Sequence, residues 1–120
     1  MIFDTNVLIY LSKYILKPER VLKDKTAISV ITKIEVLGFS FTNNDEHELL
    51  LNICDELNII SLTDLVVEET IRIQRYNRIK LPDAIIYATA FVEKVPLLTH
   101  NIKDFKFLDG NVELIDPFDL

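Results

Sequence analysis

Short apolar runs alternate with longer stretches of helical periodicity along the chain. Met1-Ile2-Phe3 predicts a brief strand, and Asp4-Thr5-Asn6 then opens a helical run over 7–13. Ala27-Ile28-Ser29 predicts a second strand, followed by a helix over about 30–41. Between 45 and 57, Leu49, Leu50, Ile53, Cys54 and Leu57 share one helical face. A third strand is expected over 58–62, after which Asp64 caps a helix in which Glu68 and Arg72 form an i,i+4 pair. Pro82, at the first helical position, starts a further helix through Asp83 to about Glu93. A fourth strand over 95–99, a short helical turn over 101–105 and a fifth strand over 112–115 complete the pattern. The strands are apolar without alternation, as in parallel sheets buried on both faces. The predicted class is α/β: a three-layer α/β/α sandwich around a central parallel sheet of about five strands, in one domain over 1–120.

Composition narrows this further. With 49% hydrophobic and 27% charged residues, 120 residues can bury a core without disulfides or structural zinc. Cys54 has no possible partner within the chain and fits a reducing compartment. Asp4 breaks the N-terminal apolar stretch, no basic segment precedes it, and the apolar run 84–92 is too short to span a bilayer. A cytoplasmic protein without membrane attachment is expected. The formal net charge is −6, the wrong sign for a general nucleic-acid binder. A role on nucleic acid therefore requires the acidity to be concentrated for a purpose.

Four acids supply one. Ligands of open parallel sheets bind beyond the carboxyl ends of the strands. Asp4 ends the first strand, Glu35 follows the second, Asp83 opens its helix, and Asn101 and Asp104 follow the fourth strand. Each has a structural alternative. Asp4 can serve as an N-cap, Asp83 can favour a helix dipole, and Asn101 with Asp104 resembles a capping box. Glu35, flanked by Ile31, Ile34, Val36 and Phe39, lies on or beside an apolar stripe; it requires either a core salt bridge or a polar cavity. Converging carboxylates raise one another's pKa, and a divalent cation relieves the conflict. All-oxygen ligation selects Mg²⁺ or Mn²⁺. With those four acids set aside, 15 acidic residues remain against 13 basic ones, a net of −2.

These residues resemble a known family. Asp4-Thr5-Asn6-Val7-Leu8-Ile9, Glu35, Leu81-Pro82-Asp83-Ala84 with Ala88-Thr89-Ala90, and Thr99-x-Asn101-x-x-Asp104-Phe105 are similar to the motifs of PIN-domain nucleases, most of all the VapC-type toxins of toxin–antitoxin pairs. The resemblance implies a Mg²⁺- or Mn²⁺-dependent endoribonuclease with Asp4, Glu35, Asp83 and Asp104 as its acidic quartet. It implies direct metal contact by Asp4 and Asp83, with Asp104 contributing to the metal shell and Glu35 orienting a metal-bound water or accepting its proton. Thr5, Asn6, Thr99 and Asn101 match positions that hold the carboxylates in place. It also implies an RNA substrate, a homodimer and a cognate antitoxin that occupies the acidic cleft, often with an arginine. His100 departs from the family's usual basic or amide residue.

Other residues carry weaker signals. Arg72, Arg75, Arg78 and Lys80 form either a phosphate-binding series or a solvated face. Lys13, Lys17, Arg20, Lys23 and Lys25 share that ambiguity. His100 is a hydrogen-bonded bystander or a general acid, His47 a solvated residue, Cys54 a core residue, and Phe39 and Phe41 core or dimer contacts. Two alternatives from other classes are a catalytically inert PIN-like binding module and a phospho-accepting signalling domain. A haloacid-dehalogenase-like phosphatase would need an acid where Asn6 stands.

Overall fold

The computed structural model describes residues 1–23, 25–38 and 43–120. Strand β1 (Ile2–Phe3) lies at the centre of a five-stranded parallel sheet. It pairs with β2 (Ala27–Ser29) on one side and β4 (Leu97–Leu98) on the other, with Ile2 opposite both Ala27 and Leu97. The edges are β3 (Asn58–Ile60) and β5 (Leu114–Ile115), giving the order β3-β2-β1-β4-β5. Successive strand residues point to opposite faces. Ile2, Ala27 and Leu97 enter one core, and Phe3, Ile28 and Leu98 enter the other. Both faces are buried, which explains the absence of polar alternation in these segments.

Helices cover both faces, as the three-layer expectation requires. On the Phe3 side lie α1 (Thr5–Ser12), α2 (Pro18–Val21) and α4 (Asn44–Glu56), which contribute Leu8, Leu11, Val21, Leu50 and Ile53. On the Ile2 side lie α5 (Asp64–Tyr76) and α6 (Leu81–Glu93). Residues 84–90 of α6 are all buried, and a helix apolar on every side belongs in a core. Helix α3 (Val30–Leu37) bridges the two cores, sending Ile31 to one and Val36 to the other. Among the described residues, no helix is long and apolar enough to cross a membrane.

Several local expectations are corrected. The helix expected over 30–41 ends at Leu37; Phe39 and Phe41 lie outside the described residues. Thr63, not Asp64, caps α5: its hydroxyl accepts from the Val66 amide at 3.3 Å, leaving Asp64 as the first helical residue. Helix α6 begins at Leu81, so Pro82 occupies the second position, where a missing N–H is equally harmless. Two elements were not anticipated: α2, and a 3-10 turn over Pro117–Asp119. His47 is half-buried, because it shares the inward stripe of α4 with Leu50 and Cys54. Cys54 is a buried core residue, as expected, and burial raises its thiol pKa.

Arg72 pairs with Glu69 and with Asp109, whose Oδ2 it reaches at 2.6 Å, in place of the expected Glu68. The segment carrying Asp109 lies on that flank of α5 and draws the guanidinium across. The Tyr87 hydroxyl, on a side chain 1% exposed, donates to Asp109 Oδ1 at 3.1 Å. Asp109 thus ties α5, α6 and the approach to β5 together. Burial alone would raise its pKa; Arg72, the Asn111 amide and the Tyr87 hydroxyl outweigh that and hold it below the usual range. Asp109→Ala is expected to lose about 1–3 kcal/mol in urea unfolding at pH 7, chiefly from stranding the Tyr87 hydroxyl. Arg72 is 44% exposed, so its ion pair contributes little of this. A depressed carboxylate pKa adds stability above the unfolded value, so this gap should narrow as pH falls below about 4.

Candidate active site

The strand order reverses at β1, whose neighbours β2 and β4 are reached in opposite directions. The crevice beyond the carboxyl ends of β1 and β4 is where such a sheet receives a ligand. Here the structure has a cavity of about 250 Å³. Its walls include Asp4, Glu35, Asp83 and Asp104, one acid from each of the four separate stretches. Thr5, Asn6 and Asn101 also line it.

Asp4 stands at the N-cap position of α1 but makes no capping hydrogen bond. Its Oδ2 accepts from the Thr99 hydroxyl at 2.8 Å, and Thr99 Oγ1 in turn accepts from the Asn101 amide at 3.0 Å. Buried Thr99 thus links the ends of β1 and β4. Asn101 makes no side-chain cap, so the capping box is absent. Glu35 has no lysine or arginine partner among the described residues; its Oε1 accepts from the Thr5 hydroxyl at 2.7 Å. Thr5 Oγ1 also lies 3.1 Å from buried Thr32 Oγ1, one turn before Glu35 on α3. Asp83 occupies the first turn of α6 and turns into the cavity.

The electrostatics are those of crowded acids. Asp4 is 5% exposed, and burial raises its pKa to about 6. The Thr99 hydroxyl opposes the rise, while the charges of Asp83 and Glu35 add to it. Asp83 is raised too, first by burial, then by Asp104 and Glu35, with Lys80 opposing. The site therefore resists its own full ionisation.

Such a donor set suits a hard divalent cation. Among the described residues no three acids stand together as a ready-made ligand shell. They instead surround a space that admits an ion with part of its hydration, and magnesium usually takes one or two carboxylates and keeps several waters. The residues fit the group in that form.

Lys80, expected either to bind phosphate or to face solvent, belongs to the site's surroundings, as do Thr32, which the sequence did not single out, and Phe105, the last residue of the Thr99–Phe105 motif. Lys80, the residue before α6, lines the cavity, and buried Phe105 underlies it. A lysine three residues before Asp83 was the available signal for the first; Thr32, three before Glu35, was the signal for the second. Of the basic series, Lys80 reaches the cavity, whereas Arg72 is engaged with Asp109 and Arg75 and Arg78 are not among the residues lining it. His100 does not line the cavity: its Nδ1 lies 3.0 Å from Asp116 Oδ2.

A parallel sheet in this order with an acid-lined cavity at its switch point has clear relatives. The PIN-domain family model matches residues 1–111, and the chain belongs to this family. That membership removes the phospho-accepting and phosphatase alternatives. Among solved structures, the chain is similar to a toxin–antitoxin complex from Klebsiella pneumoniae, with 30% identity and a TM-score of 0.77 over 97% of this chain and 96% of that one. It is also similar to VapBC-5 from Mycobacterium tuberculosis, at 25% identity, TM-score 0.66 and 96% coverage of both chains. DNA-bound VapBC from Salmonella typhimurium, at 18% identity and TM-score 0.83 over 97% of this chain and 96% of that one, attests the fold alone. No curated protein matches the chain.

Proposed function

We propose that this chain is a Mg²⁺- or Mn²⁺-dependent endoribonuclease, the toxin of a VapC-type toxin–antitoxin pair, acting in the cytoplasm as one domain over 1–120. The observation that carries this reading is the convergence of Asp4, Glu35, Asp83 and Asp104 on one cavity. Family membership supports it, since PIN domains are generally nucleases and typically use divalent metals. The relatives at 30% and 25% identity are toxin–antitoxin assemblies, which supports an antitoxin partner here.

Asp4, Asp83 and Asp104 would hold the cation, which when bound supplies a water nucleophile at neutral pH and offsets charge gathering on the phosphate. The protein's own groups do the rest. Thr99 fixes the Asp4 carboxylate by donating to Oδ2, so both ends of the switch point act on one oxygen pair. Glu35, oriented by the Thr5 hydroxyl, accepts the proton of the attacking water. Asn6 and Asn101 offer amide donors at the cavity wall, and Lys80 a cation for the scissile strand. A homodimer and an antitoxin arginine paired with the acids complete the reading.

The test is cleavage of single-stranded RNA by purified protein. Cutting should require Mg²⁺ or Mn²⁺, stop with EDTA and resume when excess metal is restored. Cutting undiminished by EDTA would overturn the metal-dependent reading. Calorimetry separates the inert-module alternative, which predicts no metal binding that depends on the carboxylates.

A further inference from the structure

The rim that holds the acids also carries a group of aromatic rings that the proposed chemistry leaves unused. Tyr10 lies one helical turn beyond Asn6 on α1, and Asn6 lines the cavity. His100 sits in the backbone between Thr99, which holds Asp4, and Asn101, another cavity residue. Phe118, from the turn Pro117–Asp119, closes the group. The His100 and Phe118 ring centres are 4.7 Å apart at 70°, those of Tyr10 and Phe118 5.5 Å at 62°, and those of Tyr10 and His100 6.2 Å at 78°. Tyr10 is half-buried against the Phe3-side core and backs the group, and His100 and Phe118 are its exposed rings.

The group is both accessible and fixed. Phe118 is 42% exposed and the His100 side chain 47%. Asp116 holds them in register: its carboxylate contacts His100 Nδ1 and accepts from the Phe118 amide at 3.0 Å. The core pair Tyr87 and Phe105 is, by contrast, stacked and buried. Arg20 donates to the Leu120 carbonyl at 3.4 Å, which brings a guanidinium beside the segment bearing Phe118.

We propose that Tyr10, His100 and Phe118 form a stacking subsite for a nucleobase of single-stranded RNA whose neighbouring phosphate lies at the acidic cavity; this rests on the ribonuclease reading. Single-stranded RNA is recognised by stacking unpaired bases on exposed aromatic rings. Such stacking tolerates any base. Continuity with the cavity through Asn6 and Asn101 favours the substrate strand over an unrelated protein surface.

The experiment uses the full chain as wild type, Phe118→Leu and Phe118→Tyr, with folding checked by thermal melting. The substrate is a short single-stranded RNA carrying 2-aminopurine, or an abasic site, at each position in turn. Phe118→Leu should raise KM about 5- to 100-fold with a smaller change in kcat, and Phe118→Tyr should stay near wild type. One abasic position should cost the wild type a similar factor and Phe118→Leu nothing further. Binding in Ca²⁺ or EDTA, followed by polarisation, should quench 2-aminopurine with the wild type but not with Phe118→Leu. Equal quenching by both, or RNA binding without quenching, overturns the subsite even if RNA is cut. Normal RNA affinity with weakened capture of an arginine-rich peptide overturns it in favour of protein docking. Quenching without cleavage keeps the subsite and removes the ribonuclease reading.

Discussion

Asp4→Asn is expected to abolish RNA cleavage and to leave a protein more stable than the wild type. Both effects follow from one environment. The carboxyl is 5% exposed and its pKa rises to about 6, first through burial, with Asp83 and Glu35 adding repulsion against the help of Thr99. The folded state therefore holds this proton more tightly than the unfolded chain. Stability is greatest below the unfolded pKa near 4 and declines as pH rises towards about 6. By neutral pH the ionised side chain costs up to about 3 kcal/mol. An asparagine keeps an oxygen for the Thr99 hydroxyl and has no charge to desolvate. At pH 7 in EDTA, urea unfolding should show the variant more stable by about 1–3 kcal/mol, a gap that closes near pH 4. Cleavage should fall by at least about 10²–10³-fold, the usual cost of removing one group that balances charge in the transition state. Equal stability at pH 7 would show that Asp4 is not an electrostatically costly group. Full activity would remove it from the chemistry.

This conflict between folding and function is what made the site legible in the sequence. Glu35 within Ile31, Ile34 and Val36 has no cheap structural reason, and Asp4 ends an apolar strand at the position where a parallel sheet receives ligands. The strands were legible because burial on both faces leaves them mostly apolar, although all but the second were drawn one or two residues too long at an end. Choices between near-equivalent partners were not legible. Thr63 and Asp64 are both good caps, and Glu68 and Glu69 both lie within reach of Arg72. In the second case the decision belongs to Asp109, 37 residues further along, which only the fold brings near. The same holds for the rings: Tyr10 and His100 are ninety positions apart, and no local period links them to Phe118. Four-residue α2 is too short for periodicity to reveal.

Adding Mg²⁺ or Mn²⁺ to the apoprotein at pH 7 should raise its melting temperature by several degrees, in proportion to the logarithm of metal concentration once binding saturates. A ligand that binds only the folded state stabilises it by RT ln(1 + [L]/Kd), about 2.7 kcal/mol at a hundredfold excess over Kd. Burial first, then repulsion from neighbouring carboxylates, raises the pKa of Asp4 and Asp83, and a bound cation would offset that cost. Protons compete for the same oxygens, so the metal-induced shift should be small at pH 5 and grow as pH rises through about 6, where Asp4 ionises. Asp83→Asn should remove most of the shift, and KCl at matched ionic strength should not reproduce it, since screening acts weakly on buried charges. A shift of equal size in the variant would place the ion elsewhere on the acidic surface. A shift independent of pH between 5 and 7 would mean that the buried carboxylate of Asp4 takes no part in holding it.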